Sequence, residues 1–557
     1  MRVDVSASAA TAASSVDQSA ALAWLLYAAV GVVLLLLSAF VVLYFQPQNA
    51  AAASLPSFAG ASTISAAPLQ ITSRFVSIVC VLALYTALLC LFTAPVDVFL
   101  LENALPHVHA NANALRILYQ VYLGILAVYT FVGAPLVYNY ARQTEIAHIT
   151  MLFRPRQRLA VAVKRTLCFL LGLGVLLALA MALLLCGKPT SSDIDWLKPL
   201  LHLSTDLAAL FRLVIGILVL SGVYLWVFVC ARGLACVPLV GLLMEDHGEN
   251  ENKTTFEDLL RENAMETQAT DQTKDTILKR YVVDQRMSRL DSERLEQLRL
   301  REQLLKDRRA VLHANLEQFS QTNRWGCWRV PLGLVLLLFS LLLLVSMLIT
   351  SLDKMVHSSF AKGFLLDAPR FPNPIDGLLV LASRSFPLDY ILFGLVFVYF
   401  FAVSFIVLLR HGVRVLCFRL DRLQPRLTSA STMTMVSLIM IYLAIVGLFS
   451  VLTLAPQYAT FGHQRYADPE TGVVLPCTLT EAAKSEADPT LPRHCRTTQL
   501  AYFYNTLAVS FPMFGMAFFL GQLAFVVAFV PWLFHAYCLA RPIADPDPKK
   551  ERLLDDY

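Results

Sequence analysis

The sequence predicts an all-α polytopic membrane protein with about nine transmembrane helices and a large cytosolic helical loop. Three observations carry that expectation. Hydrophobic residues make up 57% of the 557 positions and charged residues only 15%, against roughly a quarter charged in an average soluble domain. The apolar residues gather into nine long runs. The charges gather in one block, 245–329, which holds 17 of the 40 acids and 15 of the 45 bases. Such a chain cannot cover itself with polar surface in water. This excludes a soluble enzyme, a disordered protein and a secreted disulfide scaffold. The net charge of +5 is mild, and no basic face of the kind nucleic acid needs is evident, so the expected partner is membrane lipid and not nucleic acid.

A crossing helix needs about 20 apolar residues, because the hydrocarbon core is ~30 Å thick and each residue rises ~1.5 Å. The runs are 21–45, 75–99, 116–140, 166–186, 211–231, 331–350, 388–409, 430–454 and 511–534. They lack period-2 alternation and are about twice the length of a tilted barrel strand. A helix also satisfies its own backbone in lipid. The first run follows a Ser/Ala-rich leader holding Arg2, Asp4 and Asp17. It is too long for a secretory signal core and reads as a retained signal anchor.

Orientation follows from the short loops, since cytosolic loops are enriched in Lys and Arg. The loop after the third run holds Arg142, Arg154, Arg156, Arg158, Lys164 and Arg165. The loop after the seventh holds Arg410, Arg414, Arg419, Arg422 and Arg426. Both fall on one side with the basic tail, so the N-terminus is expected to be lumenal and the C-terminus cytosolic. The chain then divides into a membrane part with five spans (1–244), a charged cytosolic helical block (245–329), a membrane part with four spans and a lumenal Cys-bearing loop (330–540), and a cytosolic tail (541–557). Within the block, Glu245 to Glu266 reads as a flexible entry. Lys279 to Phe319 lacks Gly and Pro and reads as helix, with Glu302 and Lys306 at ion-pair spacing. A hairpin packed on its own protein and a partner-docking helix both fit this pattern.

The sharpest local signal is a repeated Pro-x-Asp, at Pro95 to Asp97, Pro374 to Asp376 and Pro387 to Asp389, with Asp353-Lys354 ending the sixth run. Asp97, Asp353 and Asp389 form a set of lumenal-rim carboxylates. Acids near membrane depth are costly and mark pathways or ion sites, while at helix starts they also act as caps. Asp389 sits at a helix start and suits the cap reading. Asp97 and Asp353 fall near helix C-terminal ends, where the dipole disfavours them, so a functional or ion-paired role competes there. Asn substitutions are accordingly expected to hurt at Asp97 and Asp353 more than at Asp389. The stretch 371–385 is too short to span and fits a re-entrant segment or a plain lumenal loop.

Six of the eleven cysteines, Cys80, Cys90, Cys168, Cys186, Cys230 and Cys236, lie in apolar surroundings and read as small buried hydrophobes. Cys477 and Cys495 share a polar loop and are expected to pair in an oxidising lumen. His107 and His109 have no further ligand at metal-site spacing, so no metal is expected. No Walker A loop, dinucleotide fingerprint, HExxH or GxSxG is present, which points away from an enzyme. Any uphill transport would draw on an ion gradient or a partner ATPase.

Several strings resemble the limb-region-1-like family of multi-span membrane proteins. They are Pro95 to Leu100, Leu352-Asp353-Lys354, Phe386-Pro387-Leu388-Asp389-Tyr390, and Leu454 to Tyr458 with Pro456, Gln457 and Tyr458. The neighbourhoods of Cys477 and Cys495 resemble the last lumenal loop. The likeness is strongest to the family's cobalamin-transport branch. It implies a lysosomal membrane protein that assists export of cobalamin (vitamin B12) to the cytosol, with an ABC transporter of subfamily D as partner. Cobalamin would be cargo and not a cofactor. The family also contains lipocalin-type endocytic receptors, which makes a receptor or trafficking adaptor the alternative. No motif identifies cobalamin ligands.

Overall fold

A computed structural model describes residues 4–45, 67–103, 108–150, 155–186, 207–239, 247–280, single positions between 291 and 309, 326–360, 363–411, 414–415, 418–419, 430–467, 473–487 and 495–539. The fold is helical. Among the described residues, eight helices are long and apolar enough to cross a membrane: Ala20–Phe45, Arg74–Leu101, Ala112–Gln143, Leu210–Pro238, Val330–His357, Leu388–Leu409, Ala430–Leu454 and Pro512–Cys538. The remaining predicted run, 166–186, lies in the helix Pro155–Cys186, whose side chains beyond residue 175 are outside the described ones.

Contacts divide the chain into two compact units, one of 1–234 with 340–531 and one of 235–339 with 532–557. In the larger unit the helix Ala430–Leu454 is central, with 83% of its apolar window buried, whereas the first span is 28% buried and faces lipid. Lipid supplies no hydrophobic force between helices, so close packing must hold them. Gly222 packs on this central helix, where a Cβ would lie 2.6 Å from Val446. Gly447 receives the ring of Phe397, 3.0 Å from where its own Cβ would be. Two spans carry a π-turn, Tyr129–Gly133 and Trp226–Cys230. The first precedes Pro135, which cannot donate the next backbone hydrogen bond.

The second span is not one continuous helix. Thr93 interrupts it, and a new helix, Ala94–Asn103, begins with Pro95 and Asp97 in its first turns. Pro95 lacks the N–H that would continue the ladder but suits a helix start. Asp97 therefore stands at a helix N-terminus and not near a C-terminal end, which corrects the dipole argument made from sequence. Asp353 does lie in the last turns of Gly326–His357, and Asp389 in the first turn of Leu388–His411.

In the smaller unit the expected flexible entry is instead a 34-residue helix, His247–Arg280. Thr267, Thr270, Thr273 and Thr276 each donate to the carbonyl four residues back, so these hydroxyls do not compete with the helix. Asn263 is buried and donates to the Leu305 carbonyl. Glu302 bridges Lys274 at 2.8 Å and Lys306 at 2.7 Å. Most of 281–319 lies outside the described residues.

Candidate functional site

The loops following the second, sixth and eighth runs meet on one face, where four carboxylates are buried: Asp97, Asp353, Asp376 and Asp389. A buried charge needs hydrogen-bond donors, and here most of them come from backbone of another segment.

Asp376 belongs to the short helix Pro374–Ala382. Asn373 caps that helix by accepting from the N–H groups of Ile375 and Asp376. The Asn373 amide also donates to the carbonyls of Ser346 and Leu454 and to Thr350, and its Oδ1 accepts from the Ser346 hydroxyl. The segment expected to be re-entrant or a loop is thus a nine-residue helix pinned by one asparagine. The Asp376 carboxylate accepts from the backbone N–H of Gln457 at 3.2 Å and of Tyr458 at 2.9 Å. These open the helix Pro456–Phe461, which has Pro456 at its start. Burial pushes the Asp376 carboxyl up to about 6, against the pull of the two N–H donors.

Asp97 plays a related part for another helix, accepting from Leu500 N–H at 3.0 Å. That helix, Gln499–Ser510, is capped by Thr498, whose hydroxyl donates to the Ala459 carbonyl. Asp389 accepts from the Tyr458 hydroxyl at 3.1 Å, while its Oδ1 is buried without a hydrogen-bond partner. Asp353 contacts His357 Nδ1 at 2.7 Å and accepts from Arg370 N–H at 2.8 Å. The neighbouring Lys354 is buried, is attracted to Asp353 and reaches Thr453 at 3.4 Å.

The other motif residues join the same assembly. Phe386 lies against Phe99 at 4.0 Å between ring centroids. Pro387 ends a cis peptide bond with Phe386. Tyr390 donates to the Phe92 carbonyl. Cys477 and Cys495 are joined in a disulfide and buried against Phe461. Gly462 ends the Pro456–Phe461 helix with φ 62°, a left-handed conformation that glycine adopts at little cost. Gln464 clasps Arg496 in both directions, donating to its carbonyl and accepting from its N–H.

Sequence reasoning placed Asp376 in the Pro-x-Asp repeat but not among the rim acids, and it did not single out Thr498. Asn373 directly before Pro374, a capping side chain before a helix-starting proline, is a local signal for the first of these caps. The side chains of His107, His109 and His494 lie outside the described residues. Among the described residues, no three His, Cys, Asp or Glu side chains gather as a metal site.

Removing the disulfide releases a loop of sequence separation 18, worth ~3 kcal/mol in the chain-entropy view. The Cys477→Ser protein is expected to melt several degrees below the parent, and reductant should lower the parent to the same value. An unchanged melting temperature in both would refute this.

Two groups on this face give opposite pH dependence. The raised Asp376 contributes stability that is complete below its unfolded value near 4 and is lost as pH rises through about 6. His463 donates or accepts at Ser383 and is pushed down by burial and by Arg384 and Arg465. Its contribution is lost as pH falls through the ordinary histidine range. In melts at pH 5 and pH 7, Asp376→Asn should shift the acid-minus-neutral difference downward and His463→Asn should shift it upward. Shifts of the same sign would contradict the assignment.

No family model matches the chain, and no solved structure matches it. It is 27% identical to a "Probable lysosomal cobalamin transporter" of Nematostella vectensis, over 92% of this chain and 93% of the relative. A protein of the same name from Aspergillus terreus is 27% identical over 82% of this chain and 83% of its own. The "Lysosomal cobalamin transport escort protein LMBD1" of Xenopus tropicalis is 26% identical over 83% and 87%. Over most of its length, and of theirs, this largely helical multi-span chain is a relative of the proteins named lysosomal cobalamin transporters and of the LMBD1 escort protein.

Proposed function

We propose that the protein is a multi-pass lysosomal membrane protein that assists export of cobalamin to the cytosol, as escort or partner of an ABC transporter of subfamily D. The observation that carries this reading is the collinear similarity to the Nematostella relative over nine-tenths of both chains. Two features support the partnership. The sequence holds no nucleotide-binding motif, and cobalamin is bulky and polar, so its export calls for an engine. The charged block 245–329 offers a surface on which a partner can dock. In this reading the carboxylate face is lumenal, both the block and the C-terminus are cytosolic, and the protein performs no catalysis. The acids Asp97, Asp353 and Asp389 then serve to lock the lumenal loops.

The test has two arms. Cells lacking the protein should accumulate cobalamin in lysosomes and fail to convert it in the cytosol until the protein is restored. Affinity purification of the tagged protein should recover an ABC transporter. Normal cobalamin conversion in the deleted cells would sink the export role. Conversion lost without a recovered transporter would sink the partnership alone.

A further inference from the structure

A histidine on the carboxylate face has a nitrogen to spare. His357 ends the span Val330–His357, and its Nδ1 lies 2.7 Å from Oδ1 of Asp353, one helical turn earlier. Asp353 is held in place, because its side chain is only 1% exposed and its other oxygen accepts from the backbone N–H of Arg370. An ionised carboxylate accepts hydrogen bonds and cannot donate them. The neutral imidazole therefore carries its proton on Nδ1 and its lone pair on Nε2. Phe371 steadies the ring from the side, edge to face at 5.7 Å. Among the described residues nothing is hydrogen-bonded to Nε2, and 24% of the side chain is exposed.

A buried acid, an imidazole and an open far nitrogen make the arrangement in which histidine serves as a metal ligand. The acid fixes the tautomer and makes the far nitrogen more basic. A bare ion is a poor occupant here. It needs three or more protein ligands, and among the described residues no three His, Cys, Asp or Glu side chains gather. The arrangement suits a metal that arrives inside a planar macrocycle, with its equatorial positions filled and one axial position open to exchange. Such a ligand also needs apolar surface beside the histidine. Phe371 and Phe360, the latter three residues beyond His357, are both exposed and offer it.

We propose that His357 is the axial ligand through which this face takes the cobalt of cobalamin, with Asp353 as its positioning residue. In the exchange the Nε2 lone pair forms the Co–N bond, and the axial water of aquocobalamin leaves as water. Cobalt keeps its oxidation state and no proton moves. The inference rests on the cobalamin reading above and adds to it the atom that meets the cargo.

Visible absorption of aquocobalamin, titrated at pH 7 with the purified full-length protein, tests it. The main band should move to longer wavelength, as it does when free imidazole replaces the axial water. Cyanocobalamin, whose cyanide histidine does not displace, should show no such shift. His357→Ala should abolish the shift. Asp353→Asn keeps the imidazole but should raise the protein concentration needed at least tenfold. His463→Ala removes another histidine of this face and should leave the shift intact. A thermal melt confirms that each variant is folded, and the comparison of the two cobalamins on the parent protein needs no variant. Absence of a shift with the parent overturns the proposal. So does a full shift with His357→Ala, because that result assigns the ligand to another histidine. The absorbance is read on purified protein, apart from the cell assay for export, so export confirmed in cells with no shift in solution would sink the ligand alone.

Discussion

Asp376→Ala should leave little folded protein. The substitution removes the acceptor of two backbone N–H groups, those of Gln457 and Tyr458, at a site where Tyr458 and Asp376 are buried. Each unsatisfied buried donor costs about 1–3 kcal/mol, so the pair costs roughly 2–6 kcal/mol. That is a large share of the ~5–15 kcal/mol that separates folded from unfolded domains. Asp376→Asn keeps one acceptor but turns an amide N–H toward a backbone N–H, and its loss should be about half as large. Asp389→Asn should be milder still, since one oxygen of Asp389 has no partner and the other can go on accepting from Tyr458. Size-exclusion profiles and melting curves in detergent give the order directly. A melting temperature of Asp376→Ala equal to the parent's would show that the carboxylate does not hold the Pro456–Phe461 helix.

Parts of the molecule differ in how legible they are in the sequence. The spans are legible because each is a local property: about 20 apolar residues either suffice to cross or do not. The disulfide is legible because Cys477 and Cys495 stand together in a polar loop, away from the apolar runs. The role of Asp97 is less so. Hydropathy runs on through 75–99 and does not show that one helix ends at Phe92 and another starts at Ala94, just before Pro95. Asp376 is harder again, because its partners are 81 and 82 residues away and no spacing rule connects them. The helix His247–Arg280 is hidden for a different reason. Its Thr, Asn and Asp residues favour turns when taken singly, yet in place the threonine hydroxyls bond within the helix and the Asn263 amide donates to the Leu305 carbonyl. Chemistry alone singles out the rim acids, but what each one holds is a fact of tertiary structure.

Gly515→Ala is expected to be the most damaging of the glycine substitutions. Gly515 lies near the start of the helix Pro512–Leu539, against the backbone of Gly363. An added Cβ would overlap the Gly363 carbonyl oxygen and stand 2.8 Å from its carbon and 2.9 Å from its Cα. Backbone cannot rotate away as a flexible side chain does. Gly363 has no room on its other side, where its own Cβ would meet the Ala508 carbonyl oxygen at 2.7 Å, and its φ of +61° is one that side chains resist. The loop is further fixed by Phe364, whose ring stacks on Phe519 at 4.6 Å. Overpacking ordinarily costs about 1–3 kcal/mol, and contact with fixed backbone on both sides puts Gly515→Ala at the upper end of that range or above it. Gly377→Ala is the control. A Cβ there meets nothing within 4 Å, and the position is inside a helix, where alanine is favoured over glycine by about 0.5–1 kcal/mol. The two substitutions add the same methyl group and should move the melting temperature in opposite directions. If they moved it equally, the close approach of Gly515 to Gly363 would not be what seats this loop against the bundle.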